Sequence, residues 1–133
     1  MRILKSVLVT CACLPIILTL HAQVNSDYFP LTKVADSLFL KKEYSAAVST
    51  YMKAFEKNNG SGQIIHRYRA ATCWAMLSNN DEAITQLERI IYKGKFDDFD
   101  LISHDISFVV LHNHPKWDTF MKQVQKNRRD KSN

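Results

Sequence analysis

The sequence predicts an all-α fold, a stack of helical hairpins closed by a C-terminal helical cap. Three observations carry that expectation. Apolar residues recur at helical spacing from Tyr28 onward, the pattern repeats after 36 residues, and the 133 residues include only 3 Gly and 3 Pro. Tight turns with positive φ need Gly and sharp breaks need Pro, so their scarcity argues against an all-β chain. The composition is 46% apolar, 11% aromatic and 23% charged, which excludes wholesale disorder and collagen-like or mucin-like classes.

The first 22 residues have the three-part logic of a secretory signal. Arg2 and Lys5 supply a positive start, Val7 to Leu20 carry no charge, and Ala22 offers a small residue before Gln23. Lys5 and Pro15 weaken the alternative of an uncleaved anchor, so no stable membrane insertion is expected after cleavage. Cys11 and Cys13 fall within this segment, and neither context suits lipidation. Removing 22 residues from 133 leaves 111, from 23 to 133, which is room for one domain. That domain contains only Cys73, so export does not serve to staple the fold with an internal disulfide.

Element by element, Leu31, Val34, Ala35, Leu38 and Phe39 form one face of a first helix, and Tyr44, Ala47, Val48, Tyr51, Ala54 and Phe55 one face of a second. The short connection Lys41-Lys42-Glu43 folds them into an antiparallel hairpin. The stop at Asn58 to Gly62 ends this unit, about 28–59. A second unit, about 63–94, follows. Ile64, Tyr68, Ala71, Trp74, Ala75 and Leu77 line a third helix, and Ala83, Ile84, Leu87, Ile90 and Ile91 a fourth, with Asp81 the expected cap. Placing Ala47 on Ala83 brings Ala35 onto Ala71, Leu38 onto Trp74 and Tyr51 onto Leu87. From about 96 to 127 the helical signal shortens: a short helix after Asp97, another turn or two through Ile106 to Leu111, and a last helix opened by Pro115 and carrying Trp117, Phe120, Met121 and Val124.

The run Ala35, Leu38, Tyr44, Ala47, Tyr51, Ala54 resembles a tetratricopeptide repeat, and Ala71, Trp74, Asp81-Glu82-Ala83-Ile84, Leu87 resembles a second. The departures are Lys42 and Asn59, which stand where that family often has Gly and Pro. The stretch from Asp105 to Trp117 resembles the segment that closes many bacterial groups of these repeats. The resemblance covers about Tyr28 to Tyr92 and implies a right-handed superhelical stack whose inner face takes ligands. Carried over position by position, that face comprises Phe29, Thr32, Asp36, Phe39 and Leu40, then Ile65, Tyr68, Thr72, Ala75 and Met76. The chaperone-tail-binding branch grips a terminal carboxylate with Lys and Asn; here Thr32, Asp36 and Thr72 occupy those positions, so that clamp is not expected. With the signal pattern of residues 1–22, the resemblance implies an exported interaction module or scaffold of the bacterial envelope, in the periplasm or outside the cell. Its apolar inner face would take a protein or peptide segment, be covered by the C-terminal helix, or meet a second copy in a homodimer.

Other chemistry is poorly supplied. Asp97, Asp98, Asp100, His104, Asp105, His112 and His114 gather metal-ligand types without the spacing of a zinc or calcium site. The alternative reading, an accessory protein of an envelope enzyme system with a weak metal site at His112 and His114, rests on that pair alone; the Asp residues otherwise read as helix caps. No nucleophile motif or phosphate-cradling Gly loop is present, Cys73 reads as a packing residue, and neither an enzyme nor a cofactor is expected. Without Arg2 and Lys5 the domain has 16 basic and 13 acidic residues. The excess lies in the last dozen positions, which read as a frayed, solvated end with no sign of nucleic-acid binding.

Overall fold

A computed structural model describes residues 27–133, whose regular elements are all helical, with no strand among the described residues. The expected signal at residues 1–22, with Cys11 and Cys13, lies outside them. Helix α1 (Tyr28–Leu40) carries Pro30 in its first turn, where a missing N–H removes no intrahelical bond. It turns back into α2 (Tyr44–Lys57), and α3 (Ile64–Met76) turns back into α4 (Asn80–Glu88). A π-helical turn, Arg89–Lys93, extends α4. The chain then forms α5 (Phe99–His104), a 3-10 helix (Ile106–Leu111) and α6 (Trp117–Ser132).

The 36-residue period is written into the backbone. Lys42 and Ser78, 36 apart, both take the left-handed conformation, at φ 61° and 60°, and so do Asn59 and Lys95, at 53° and 56°. After α1 the Glu43 N–H donates to the Leu38 carbonyl at 3.0 Å; after α3 the Asn79 N–H donates to that of Trp74 at 2.9 Å. Both are six-to-one closures of a helix C-terminus, made here without glycine. The hairpins diverge at the end of the second. After α2 the Gly60 N–H reaches the Phe55 carbonyl, whereas after α4 the Gly94 N–H reaches Arg89 and the Phe96 N–H reaches Ile90, one residue further back. Gly94 is required there, because a Cβ would stand 2.7 Å from the Ile90 carbonyl oxygen.

Two apolar clusters meet on α3. Tyr28 and Ala35 of α1, Val48, Tyr51, Ala54 and Phe55 of α2, and Ala70 and Cys73 of α3 form one. The opposite side of α3, with Tyr68, Ala71 and Ala75, joins Ile84, Leu87, Ile90 and Ile91 and then Ile102, Phe108, Leu111, Trp117, Phe120 and Val124. Trp74 packs against both. Ala35, Ala47, Ala71 and Ala83 are completely buried, as expected of small residues at close helix crossings. Burial pushes the Cys73 thiol up to about 12.

Three local expectations are corrected. The cap of α4 is Asn79, whose side chain accepts from the Glu82 N–H at 3.4 Å; Asp81 lies inside the first turn. Pro115 precedes the last helix by a turn rather than opening it, and α6 begins at Trp117. The basic end is ordered helix to Ser132. Lys131 pairs with Asp97 at 2.7 Å and Arg128 with Asp100 at 3.2 Å, so the acids that precede and open α5 hold two of its cations. Asn127 fixes the same helix by donating to the Ile91 and Phe96 carbonyls at 2.8 and 2.9 Å, which satisfies backbone groups left over where the π turn ends. Asp98 and Asp105 do cap, accepting from the Leu101 and Ser107 N–H groups at 2.9 Å each.

Candidate functional site

The helix faces that pair α1 with α3 and the C-terminal segment enclose a groove of about 490 Å³. Phe39 of α1 and Ile64, Ile65, Tyr68, Arg69 and Thr72 of α3 form one wall. Phe96, Leu101, Asp105 and Ser107 form the other. Four of the eight partner-binding residues expected from the sequence, Phe39, Ile65, Tyr68 and Thr72, are therefore brought together. The others are not in that lining. Phe29, Leu40 and Met76 stand exposed at the ends of α1 and α3, and Asp36 lies half-buried between helices. Thr32 and Ala75, also assigned to the inner face, are buried in the packing.

Tyr68, Arg69, Thr72 and Asp105 use their polar groups within the chain. Tyr68 donates its hydroxyl hydrogen to Asp105 at 2.6 Å, and burial, reinforced by that carboxylate, raises the phenol's pKa. The Thr72 hydroxyl donates to the Tyr68 carbonyl one turn back, and Arg69 holds Asp36 at 2.7 Å while its guanidinium lies 5.7 Å from the Phe39 ring. Burial works against the charge on Arg69, but Asp36 outweighs it and the pKa rises. Most of the surface left to a ligand is side-chain hydrocarbon. Ile65 and Leu101, each about half exposed, are its most accessible parts.

Behind the groove a polar network ties the first hairpin to α3. Asp36 accepts from Tyr51 at 2.5 Å and faces His66 Nε2 at 3.7 Å. Burial alone would raise the Asp36 pKa; the bonds from Tyr51 and Arg69 reverse that and hold it below the ordinary carboxylate value. Tyr28 accepts from the Gln63 N–H at 2.8 Å, which leaves its own hydrogen for His66 Nδ1 at 2.8 Å. That places the imidazole hydrogen on Nε2, toward Asp36. Burial lowers the His66 pKa, more than Asp36 raises it, so the ring is neutral near pH 7.

Among the described residues no three His, Cys, Asp or Glu side chains converge as metal ligands would. The two histidines singled out for a metal do different things: His112 lies against the Trp117 ring at 4.7 Å, and His114 faces Asp81 at 3.6 Å while accepting from the Lys116 N–H. Sequence reasoning missed the second wall, Phe96, Leu101 and Asp105, because these residues follow the repeats and share no register with them. No helix among the described residues is long and apolar enough to cross a membrane. Comparison with known proteins adds no relative: no family model, curated protein or solved structure matches the chain.

Proposed function

We propose that this protein is an exported interaction module built of two tetratricopeptide-like hairpins, stacked as a right-handed superhelix with a C-terminal cap, that holds an apolar segment of a partner protein or peptide. Its role is to bind and to scaffold in the cell envelope rather than to catalyse. The 36-residue period, repeated in backbone conformation as well as in sequence, supports the repeat reading. Export rests on the pattern of the first 22 residues. The observation that carries the binding role is the groove in which the Tyr68, Arg69, Thr72 and Asp105 polar groups are already satisfied. Such a wall neither demands nor rewards a charged ligand, and it favours aliphatic or aromatic side chains presented by a short segment. Rigid helices hold it open, so little ordering entropy is lost on binding.

The test is a photocrosslinking residue placed at Leu101, compared with one at Lys53 on the exposed side of α2, in the protein's own host. The expected result is a discrete adduct with another protein from Leu101 that vanishes on Ile65→Asp, with none from Lys53. Equal labelling from both positions, an adduct with a second copy alone, or an adduct indifferent to Ile65→Asp overturns the proposal.

A further inference from the structure

A second cavity, of about 560 Å³, opens where the loop after α2 meets the π turn. Its lining differs from that of the groove. Arg67, Arg89 and Lys93 are its charged residues, Asn59 to Gly62 its loop, and no acid is among the lining residues. Arg67 is buried, only 6% exposed, yet no carboxylate lies within 4.0 Å of it, of Arg89 or of Lys93 among the described residues. Glu88, the acid next to Arg89 in the chain, is taken by Lys116 at 3.2 Å.

A buried cation without a counter-charge is expensive, and proteins normally pair it. Here the guanidinium is held by neutral groups: Arg67 donates to Gln86 Oε1 at 2.6 Å and to the Gly60 carbonyl, and lies 4.3 Å over the Phe55 ring. Those two bonds use part of a five-donor fork. Burial, with the positive field of Arg89 added, lowers its pKa to about 10, so the charges repel across the cavity. Gly62 packs closely on both side chains, since a Cβ there would meet the Phe55 ring at 2.5 Å and the Arg67 Nε at 3.3 Å. The cavity is also bordered by Ile64, at the start of α3, where no side chain caps the helix and the dipole adds positive potential.

We infer that this cavity is an oxyanion site, taking a phosphate group of charge near −2, free or as a monoester, between Arg67 and the Arg89–Lys93 pair. Three cations with no lining acid match a dianion better than a single carboxylate, and arginine forks suit its geometry. The site shares only Ile64 with the lining of the apolar groove.

The experiment is thermal melting of the full protein with increasing inorganic phosphate or glycerol 3-phosphate, at constant ionic strength set with chloride. Binding raises Tm along a saturable curve. The exposed pair Arg89→Gln/Lys93→Gln is expected to weaken both ligands about ten-fold or more, as loss of charge-assisted hydrogen bonds does. The equally basic pair Lys122→Gln/Arg129→Gln on α6 is expected to leave the curve in place. Tighter binding of the ester identifies an esterified source, and tighter binding of inorganic phosphate identifies the free ion. A linear rise shared by all variants, or no rise, overturns the inference. A fall in the unliganded Tm of the first pair does not imitate the expected result, because the readout is the phosphate dependence.

Discussion

At the residue scale the molecule depends on a few side chains whose polar ends are used internally. Asp36 is the clearest, joining Tyr51 of α2 and Arg69 of α3 from its place on α1. Asp36→Asn keeps the shape but removes the charge facing Arg69, and should cost about 1–3 kcal/mol in urea unfolding. The pH dependence has a definite sign. His66 titrates below its ordinary 6.5 when folded, so its contribution is complete above pH 6.5 and is lost as the pH falls toward the folded value. Asp36 titrates below its ordinary 3.8, so its contribution is present above that pH and is lost as the pH falls through the folded value. Acid should therefore destabilise in two stages, the first absent from His66→Gln and the second diminished in Asp36→Asn when Tm is followed from pH 7 to pH 3. Thr32 carries a lesson of the same kind. Assigned to the inner face by the repeat register, it is instead 2% exposed with its hydroxyl on the Phe29 carbonyl, and Thr32→Ala should cost about 1 kcal/mol.

At the scale of elements, helix ends decide more than helix interiors. Asn79→Ala should lower stability by about 0.5–2 kcal/mol, whereas Asp81→Ala, which touches only His114 at the surface, should lower it by less. Reversal of that order in thermal melts would remove Asn79 as the cap. Ala47→Leu and Ala83→Leu, each placing three extra carbons at a fully buried crossing, should each cost about 1–3 kcal/mol. Periodicity made the four repeat helices, their faces and the buried alanines legible, because helix spacing and small-residue positions are local signals. The turns were legible only in part: Lys42 and Ser78 adopt positive φ with no residue type that announces it, and the compensating hydrogen bonds lie in the backbone. The groove was half legible. Its α1 and α3 wall follows from the repeat register, but its other wall comes from residues whose position depends on how α5 and α6 dock. The order of the basic terminus was likewise invisible, since it needs Asp97, before α5, and Asp100, in its first turn, brought across to α6.

For the whole molecule, α3 is the shared partition. One face belongs to each apolar cluster, and Trp74 reaches both, so Trp74→Ala should cost about 3–5 kcal/mol and broaden the unfolding transition as the halves lose their common wall. Cys73 sits in this partition, fully buried and with its thiol titrating near 12. At neutral pH it is protonated as well as screened, and both conditions must lapse before a disulfide reagent can react. With Cys11 and Cys13 replaced by Ser, the chain thus contains a built-in stopwatch. The rate at which Cys73 is labelled counts how often α3 parts from its neighbours, and its dependence on reagent concentration separates the frequency of those openings from their equilibrium population. Measured with the groove or the basic cavity filled, the same single sulfur would register whether an occupant holds the two halves shut.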